Sequence, residues 1–167
     1  MSKIKKVLKQ LKERLDDKIC WAIFGSNAVA IHKGSLHRKI DDLDVIAENN
    51  KQKICDAFSD IGVCFRKRNN RDRGYLKIDG IKIELMLLSG DREIDLADGK
   101  FSFREIEEKE FNGETFPVID LQSLYCAKLR HKQELEKAEN KKLTNTKRDI
   151  DVLRELLKNH RLQSPPH

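Results

Sequence analysis

The tightest constraint in this sequence is a pair of residues, Asp79-Gly80. It sits between two alternating runs, Tyr75-Leu76-Lys77-Ile78 and Ile81-Lys82-Ile83-Glu84-Leu85-Met86. A two-residue Asp-Gly connection accepts positive φ at both positions, as the tight turn between antiparallel strands requires. A second hairpin is predicted at Asn112-Gly113, between residues 103–111 and 114–119. Any fold for this chain must build a sheet around these turns.

The rest of the chain supplies further strands and helices to cover them. Ile4, Val7, Leu8, Leu11 and Leu15 recur at helical spacing, with Lys and Arg on the other face. Residues 20–24 read as a buried strand that runs into Gly25-Ser26. A helix over 27–32 is ended by Gly34, and 42–47 forms a second strand. Residues 51–61 read as a helix with Ile54, Cys55, Phe58 and Ile61 on one face, and 63–68 as a strand. Asp120 is placed to cap a helix from Leu121 that turns Leu124, Cys126, Ala127 and Leu129 inward. A last helix spans about 146–157, and residues 161–167, with Pro165-Pro166, should fray. The expected fold class is α/β (mixed α+β): a mixed sheet flanked by helices, with a short C-terminal helical tail. Residues 1–120 would form the core and 121–160 the tail packed on it.

Composition narrows the class. The chain has 167 residues, about one domain's worth. Charged residues are 37% of it, against roughly 25% in an average domain. No apolar run reaches the ~18 residues of a membrane span, and the basic start lacks the apolar stretch of a secretory signal. The expected location is the cytoplasm. Cys20, Cys55, Cys64 and Cys126 contain no C-x-x-C pair and have apolar neighbours, so they read as small hydrophobes in a reducing compartment. The net charge is +6, unevenly spread. Residues 121–167 hold 11 Lys/Arg and 6 Asp/Glu, a net of +5. That excess suits an anionic partner, and equally a solvated helix surface.

Three features carry chemistry. Gly25-Ser26 lies at a strand-to-helix turn, where backbone N–H groups and a hydroxyl can receive a phosphate. Asp42-Leu43-Asp44 begins the next strand, and period-two geometry places both carboxylates on one face. Paired acids repel unless solvent or a divalent cation neutralises them. Glu84 stands between Ile83 and Leu85, sharing its face with Lys82 and Met86, where an outward-pointing charge is the simpler reading. Each feature alone is as well explained by a helix turn or a solvated edge.

Together, in this order and spacing, they resemble the nucleotidyltransferase superfamily with the DNA polymerase beta palm fold. The resembling stretch is 21–88, less than half the chain. The resemblance implies that Asp42, Asp44 and Glu84 hold two Mg²⁺ (or Mn²⁺) ions, and that Glu84 helps activate an acceptor hydroxyl. It implies that Gly25 and Ser26 bind the triphosphate of an NTP. Arg38, shortly before the acidic pair, and Lys128, in Leu124-Tyr125-Cys126-Ala127-Lys128-Leu129, match further nucleotide-binding positions of minimal members, including abortive-infection and antitoxin-linked ones. Lys147-Arg148-Asp149 before Ile150 matches a later basic-acidic pattern. Where many relatives have Ser or Thr shortly before the acidic pair, this chain has Ile40, and Asp41 adds a third acid.

The implied activity is transfer of an NMP from an NTP, ATP included, to a hydroxyl, with release of pyrophosphate. The acceptor is open among an RNA end, a small molecule such as an antibiotic, and a protein. The alternatives are a catalytically silent nucleotide- or RNA-binding module of the same fold, with a protein partner as in a toxin–antitoxin pair, and a metal-dependent nuclease. Arg66, Lys67, Arg68, Arg71 and Arg73 gather around a predicted hairpin near the site, fit to guide RNA or to solvate a loop. His32 and His37 do not align on one helix face, which speaks against a histidine metal site.

Overall fold

The Asp79-Gly80 turn stands as the sequence predicts, with φ of 50° and 76° at its two positions, and Asn112-Gly113 repeats the geometry. The structure, a computed structural model, describes residues 2–163. Its elements run α1 (Lys3–Leu15), β1 (Trp21–Phe24), α2 (Gly25–Lys33), β2 (Asp42–Ala47), α3 (Lys51–Ala57), β3 (Cys64–Arg68), β4 (Arg71–Ile78), β5 (Ile81–Gly90), β6 (Glu93–Leu96), β7 (Gly99–Ser102), β8 (Ile106–Phe111), β9 (Glu114–Ile119), α4 (Leu121–Lys137) and α5 (Leu143–Gln163).

The strands form a mixed sheet in the order β3-β4-β5-β2-β1-β9-β8, with β6 and β7 extending from β5. Strand β2 runs parallel to β5 and antiparallel to β1, and β1 runs parallel to β9. Parallel pairs need a crossover, and the intervening helices and hairpin supply it. Helix α1 buries Ile4, Val7, Leu8, Leu11 and Leu15, the stripe its sequence marks out. All four residues of β1 are buried, as expected for a central strand covered on both faces. Helix α2 packs against α4 and α5. Asp120 caps α4, accepting a hydrogen bond from the Ser123 N–H at 2.9 Å. Among the described residues no helix is long and apolar enough to cross a membrane.

Several expectations need correction. The β6–β7 hairpin was not expected. Its strands are four residues each and rich in charge, too short for a periodic signal. Helix α2 begins at Gly25 rather than 27, because Gly25 takes φ of 64° and turns the chain straight out of β1. Helix α5 is longer at both ends than 146–157. Residues 161–163 of the segment expected to fray are helical, and 164–167 lie outside the described residues.

The cysteines are not small core hydrophobes: all four are exposed. In α3 the inward face is Ile54 and Phe58, with Cys55 and Ile61 outside, and in α4 Lys128 takes an inward position while Cys126 points out. A thiol reagent such as dithiobis-nitrobenzoate is expected to modify four cysteines in native buffer. Cys20 should react last, because burial, then Glu48 and Asp91, pushes its thiol pKa up. Fewer than four modified thiols before denaturant is added would contradict this exposure.

Candidate active site

The sheet order brings the predicted acids together on two neighbouring parallel strands, β2 and β5. The register of the parallel pair β2–β5 sets Asp44 beside Glu84 and Asp42 beside Lys82. Register partners point to the same sheet face, so Asp42, Asp44 and Glu84 share one. On the other side Phe24 pairs with Asp44, so the chain enters the Gly25-Ser26 turn directly over that carboxylate. A Cβ at position 25 would collide with Asp44 Oδ2, which leaves glycine as the residue that fits. Asn27, buried in α2, donates from Nδ2 to the Asp42 carbonyl at 2.8 Å and ties the turn to the start of β2.

These residues open onto one cavity of about 450 Å³. Gly25, Ser26, Arg38, Asp42, Asp44, Glu84 and Lys128, all the residues expected at the site, line it. Asp44 is the most perturbed acid there. Burial, then the charges of Glu84 and Asp42, push its pKa up to about 7. Asp41 instead is exposed and pairs with Lys39 at 3.2 Å, an ordinary turn acid.

The Ser26 end of the cavity is organised by a residue whose role the sequence did not declare. Asp149 of α5 is fully buried and receives Arg38 Nε at 2.9 Å, His37 Nε2 at 2.7 Å and Lys128 Nζ at 2.7 Å. Ser26 Oγ donates to its Oδ2 at 2.6 Å, and itself accepts from Lys128 Nζ at 3.0 Å and from Arg38. Burial alone would raise the Asp149 carboxyl. The hydrogen bonds from His37 and Arg38 and the charge of Lys128 overcome it and hold the group well below the usual carboxylate range. Lys128 is therefore not a surface lysine. The signal was helical: Thr146, Asp149, Ile150 and Leu153 are spaced i, i+3, i+4, i+7, and all four are buried.

Arg73 is the second residue the sequence reading misplaced. It was grouped with the exposed basic cluster, yet it is 2% exposed. Its Nε donates to Glu84 Oε1 at 3.0 Å, and a terminal nitrogen bonds the Asp95 carbonyl of β6. Burial lowers the Arg73 pKa, which Glu84 partly offsets. Arg73 lies on β4 opposite Met86, and the unexpected β6 closes over it.

The donor set tests whether a divalent cation fits. Three hard carboxylates face one cavity, and burial, then the charges of Glu84 and Asp42, raise the Asp44 pKa, so that a cation there would be favoured. Among the described residues, however, no three His, Cys, Asp or Glu side chains stand as an assembled metal site. Glu84 directs one oxygen to Arg73. The residue types on this shared sheet face fit a hard divalent ion. His32 instead bonds the Ile119 carbonyl and His37 bonds Asp149, so neither stands at the acids.

No protein-family model matches the chain, and no curated protein matches it. Solved structures do. A candidate nucleotidyltransferase from Thermotoga maritima is 29% identical, with a TM-score of 0.60, over 83% of this chain and 91% of that one. The antibiotic-resistance factor ANT(2'')-Ia, in complex with adenylyl-2''-tobramycin, has a TM-score of 0.66 at 13% identity, over 96% of this chain and 90% of that one. The lincosamide antibiotic adenylyltransferase LnuA, bound to lincomycin, has a TM-score of 0.59 at 16% identity, over 92% and 95%.

Proposed function

By its fold the chain belongs to the nucleotidyltransferase superfamily, and from that premise we propose that it is a divalent-metal-dependent enzyme that moves an NMP from an NTP to a hydroxyl and releases pyrophosphate. One observation carries this reading: Asp44 and Glu84 are register neighbours under the Gly25-Ser26 turn, with Arg38 and Lys128 across the same cavity. The acids of the lining suit the reacting oxygens, and Arg38, Lys128 and the backbone N–H groups of the turn suit a leaving polyphosphate.

Each residue has a part. The N–H groups at the start of α2 and the Ser26 hydroxyl receive the β- and γ-phosphates. Arg38 and Lys128 offset the charge that develops on the departing pyrophosphate. Glu84 accepts the proton of the acceptor hydroxyl. Asp42, Asp44 and Glu84 would hold two Mg²⁺ or Mn²⁺ ions, whose chemistry is to acidify the acceptor and stabilise both oxygens of an in-line displacement. Asp149 keeps Arg38 and Lys128 aimed at the turn.

The test is incubation with each α-labelled NTP, Mg²⁺, and separate pools of RNA, protein, aminoglycosides and lincosamides. Label is expected to move to one pool. Glu84→Gln should reduce transfer at least about 100-fold with NTP affinity kept, since it removes the base and leaves the phosphate side whole. NTP binding without transfer to any pool would favour the silent module instead. The contacts that tie Ser26, Arg38 and Lys128 to Asp149 would then be its resting arrangement.

A further inference from the structure

Around the Asp79-Gly80 end the outer half of the sheet has one face on the core and one toward solvent, while farther along that second face Arg73, Met86 and Ile46 are buried. Leu43 and Val45 of β2, Ile83 and Leu85 of β5, and Leu76 and Ile78 of β4 are buried. The alternate residues therefore share the open face with the acids. Register arranges them in rows across β3, β4, β5 and β2. Cys64, Tyr75, Glu84 and Asp44 form one row, and Lys77, Lys82 and Asp42 the next. On the other side stand Arg66 opposite Arg73, then Arg68 opposite Arg71.

Tyr75 is thus the immediate neighbour of Glu84, with lysines on one side and arginines on the other. Tyr75, Lys77 and Lys82 also line a groove of about 250 Å³. Lys77, Lys82, Arg66 and Arg68 are exposed, and among the described residues none of them makes an ion pair with a carboxylate. Arg66 lies beside the Cys64 thiol.

This pattern works against folding. Lys77–Lys82, Arg66–Arg73 and Arg68–Arg71 are three like-charged pairs directly opposite one another on adjacent strands. Each such pair is destabilising, and although Asp42 is the register neighbour of Lys82, among the described residues no acid pairs with Lys77, Lys82, Arg66 or Arg68. Arg73 is answered by Glu84. An anionic ligand lying across the face would answer the rest. A half-exposed aromatic ring between cations is the arrangement that binds single-stranded nucleic acid, with bases stacked on the ring and phosphates on the flanking charges. An acidic protein would use the cations and leave the ring idle.

We propose that this face is the acceptor platform and that the acceptor is a single-stranded polynucleotide. Its terminal hydroxyl lies at Glu84, a base stacks on Tyr75, and its phosphates meet Arg66, Arg68, Lys77 and Lys82. The proposal rests on the nucleotidyltransferase reading above. In the reaction the hydroxyl oxygen forms a bond to the α-phosphorus. The bond from that phosphorus to the β-bridging oxygen breaks, the hydroxyl proton passes to Glu84, and pyrophosphate leaves.

The experiment is fluorescence anisotropy with labelled single-stranded oligonucleotides of about 12 nucleotides, RNA and DNA as separate arms, over a salt series. Tyr75→Ala is expected to weaken binding about tenfold, while Tyr75→Phe, which keeps the ring, binds as the parent does. Arg66→Ala with Arg68→Ala should reduce the slope of log affinity against log salt by about 1.4, two phosphate contacts' worth. All are solvent-facing changes, and a melting temperature no lower than the parent's shows that they fold, with the arginine pair expected to melt higher because two like-charged pairs are gone. Absence of binding by either oligonucleotide at low salt overturns the proposal, as does affinity that ignores both Tyr75→Ala and the arginine pair. If the oligonucleotide binds as expected and no NTP donates label to it, the acceptor proposal is overturned, and the enzymatic reading stands or falls on transfer to the other pools. If label passes to a small molecule or a protein and the oligonucleotide does not bind, the platform fails and the enzymatic reading stands.

Discussion

Asp44→Asn is expected to lower nucleotidyl transfer by about 10³-fold or more, and at the same time to stabilise the metal-free protein above neutral pH. The two effects have one cause. Burial, then Glu84 and Asp42, raise the Asp44 pKa from 3.8 to about 7. Between those values the native protein holds a proton that the unfolded chain has lost. Stability is therefore full below the unfolded value and falls as pH rises toward 7. The penalty at pH 8 is on the order of 3 kcal/mol once partial contact with solvent is discounted. Asparagine keeps the shape and removes the charge, so the melting temperature should lose this pH slope. Mg²⁺ should reverse the slope in the parent protein and leave the variant unaffected, because a ligand that binds only the native state stabilises it. Melting curves at pH 5 and pH 8, with and without Mg²⁺, make the comparison. A variant that melts lower than the parent at pH 8 without metal would show Asp44 to be structural.

Asp149→Ala should be the most damaging single change to stability, at about 3–5 kcal/mol. It leaves the buried Lys128 and the partly exposed Arg38 with no counter-charge, and His37 and Ser26 without an acceptor. That is a large share of the roughly 5–15 kcal/mol that holds a typical domain. Urea denaturation measures it directly. Lys128→Met added to Asp149→Ala should recover part of the loss, since it removes one of the stranded charges. A loss under about 1 kcal/mol for Asp149→Ala would mean that water replaces the carboxylate and that the cluster is not organised by it. The pH behaviour is opposite to that of Asp44. The native pKa of Asp149 is depressed, so its contribution is present above 3.8 and is lost only as pH falls through the lower native value. Together the two acids place the metal-free stability maximum on the acid side of neutrality.

The parts of the site that lie on local patterns were legible before the fold was known. A D-x-D on a strand shares a face by geometry, and Gly25-Ser26 between a strand and a helix is a turn whatever surrounds it. The stripe of α1, the Asp79-Gly80 and Asn112-Gly113 hairpins and the Asp120 cap are set by residues a few positions apart. What failed had no short-range signal. Lys128 and Arg73 are charged residues, which usually face water, and both are buried because a partner from another element holds them. The cysteines have apolar neighbours in sequence, but their own positions fall on the outer faces of α3, β3 and α4 or beside the end of β1.

The sequence by itself determined the kinds of element, the two tight turns, the pairing of Asp42 with Asp44 and the excess of positive charge, because each depends on residue type and spacing along a few turns or strand positions. Only the tertiary structure decided that Glu84 lies beside Asp44, and that α5 returns to bury Asp149 among His37, Arg38 and Lys128. It also decided that the basic residues of β3, β4 and β5 rise from the same face as the acids. The physical reason is one of range. Strand order and register bring together groups 40 and more residues apart in the chain. The energy of a carboxylate depends on which charges those contacts place around it and on how far they exclude water.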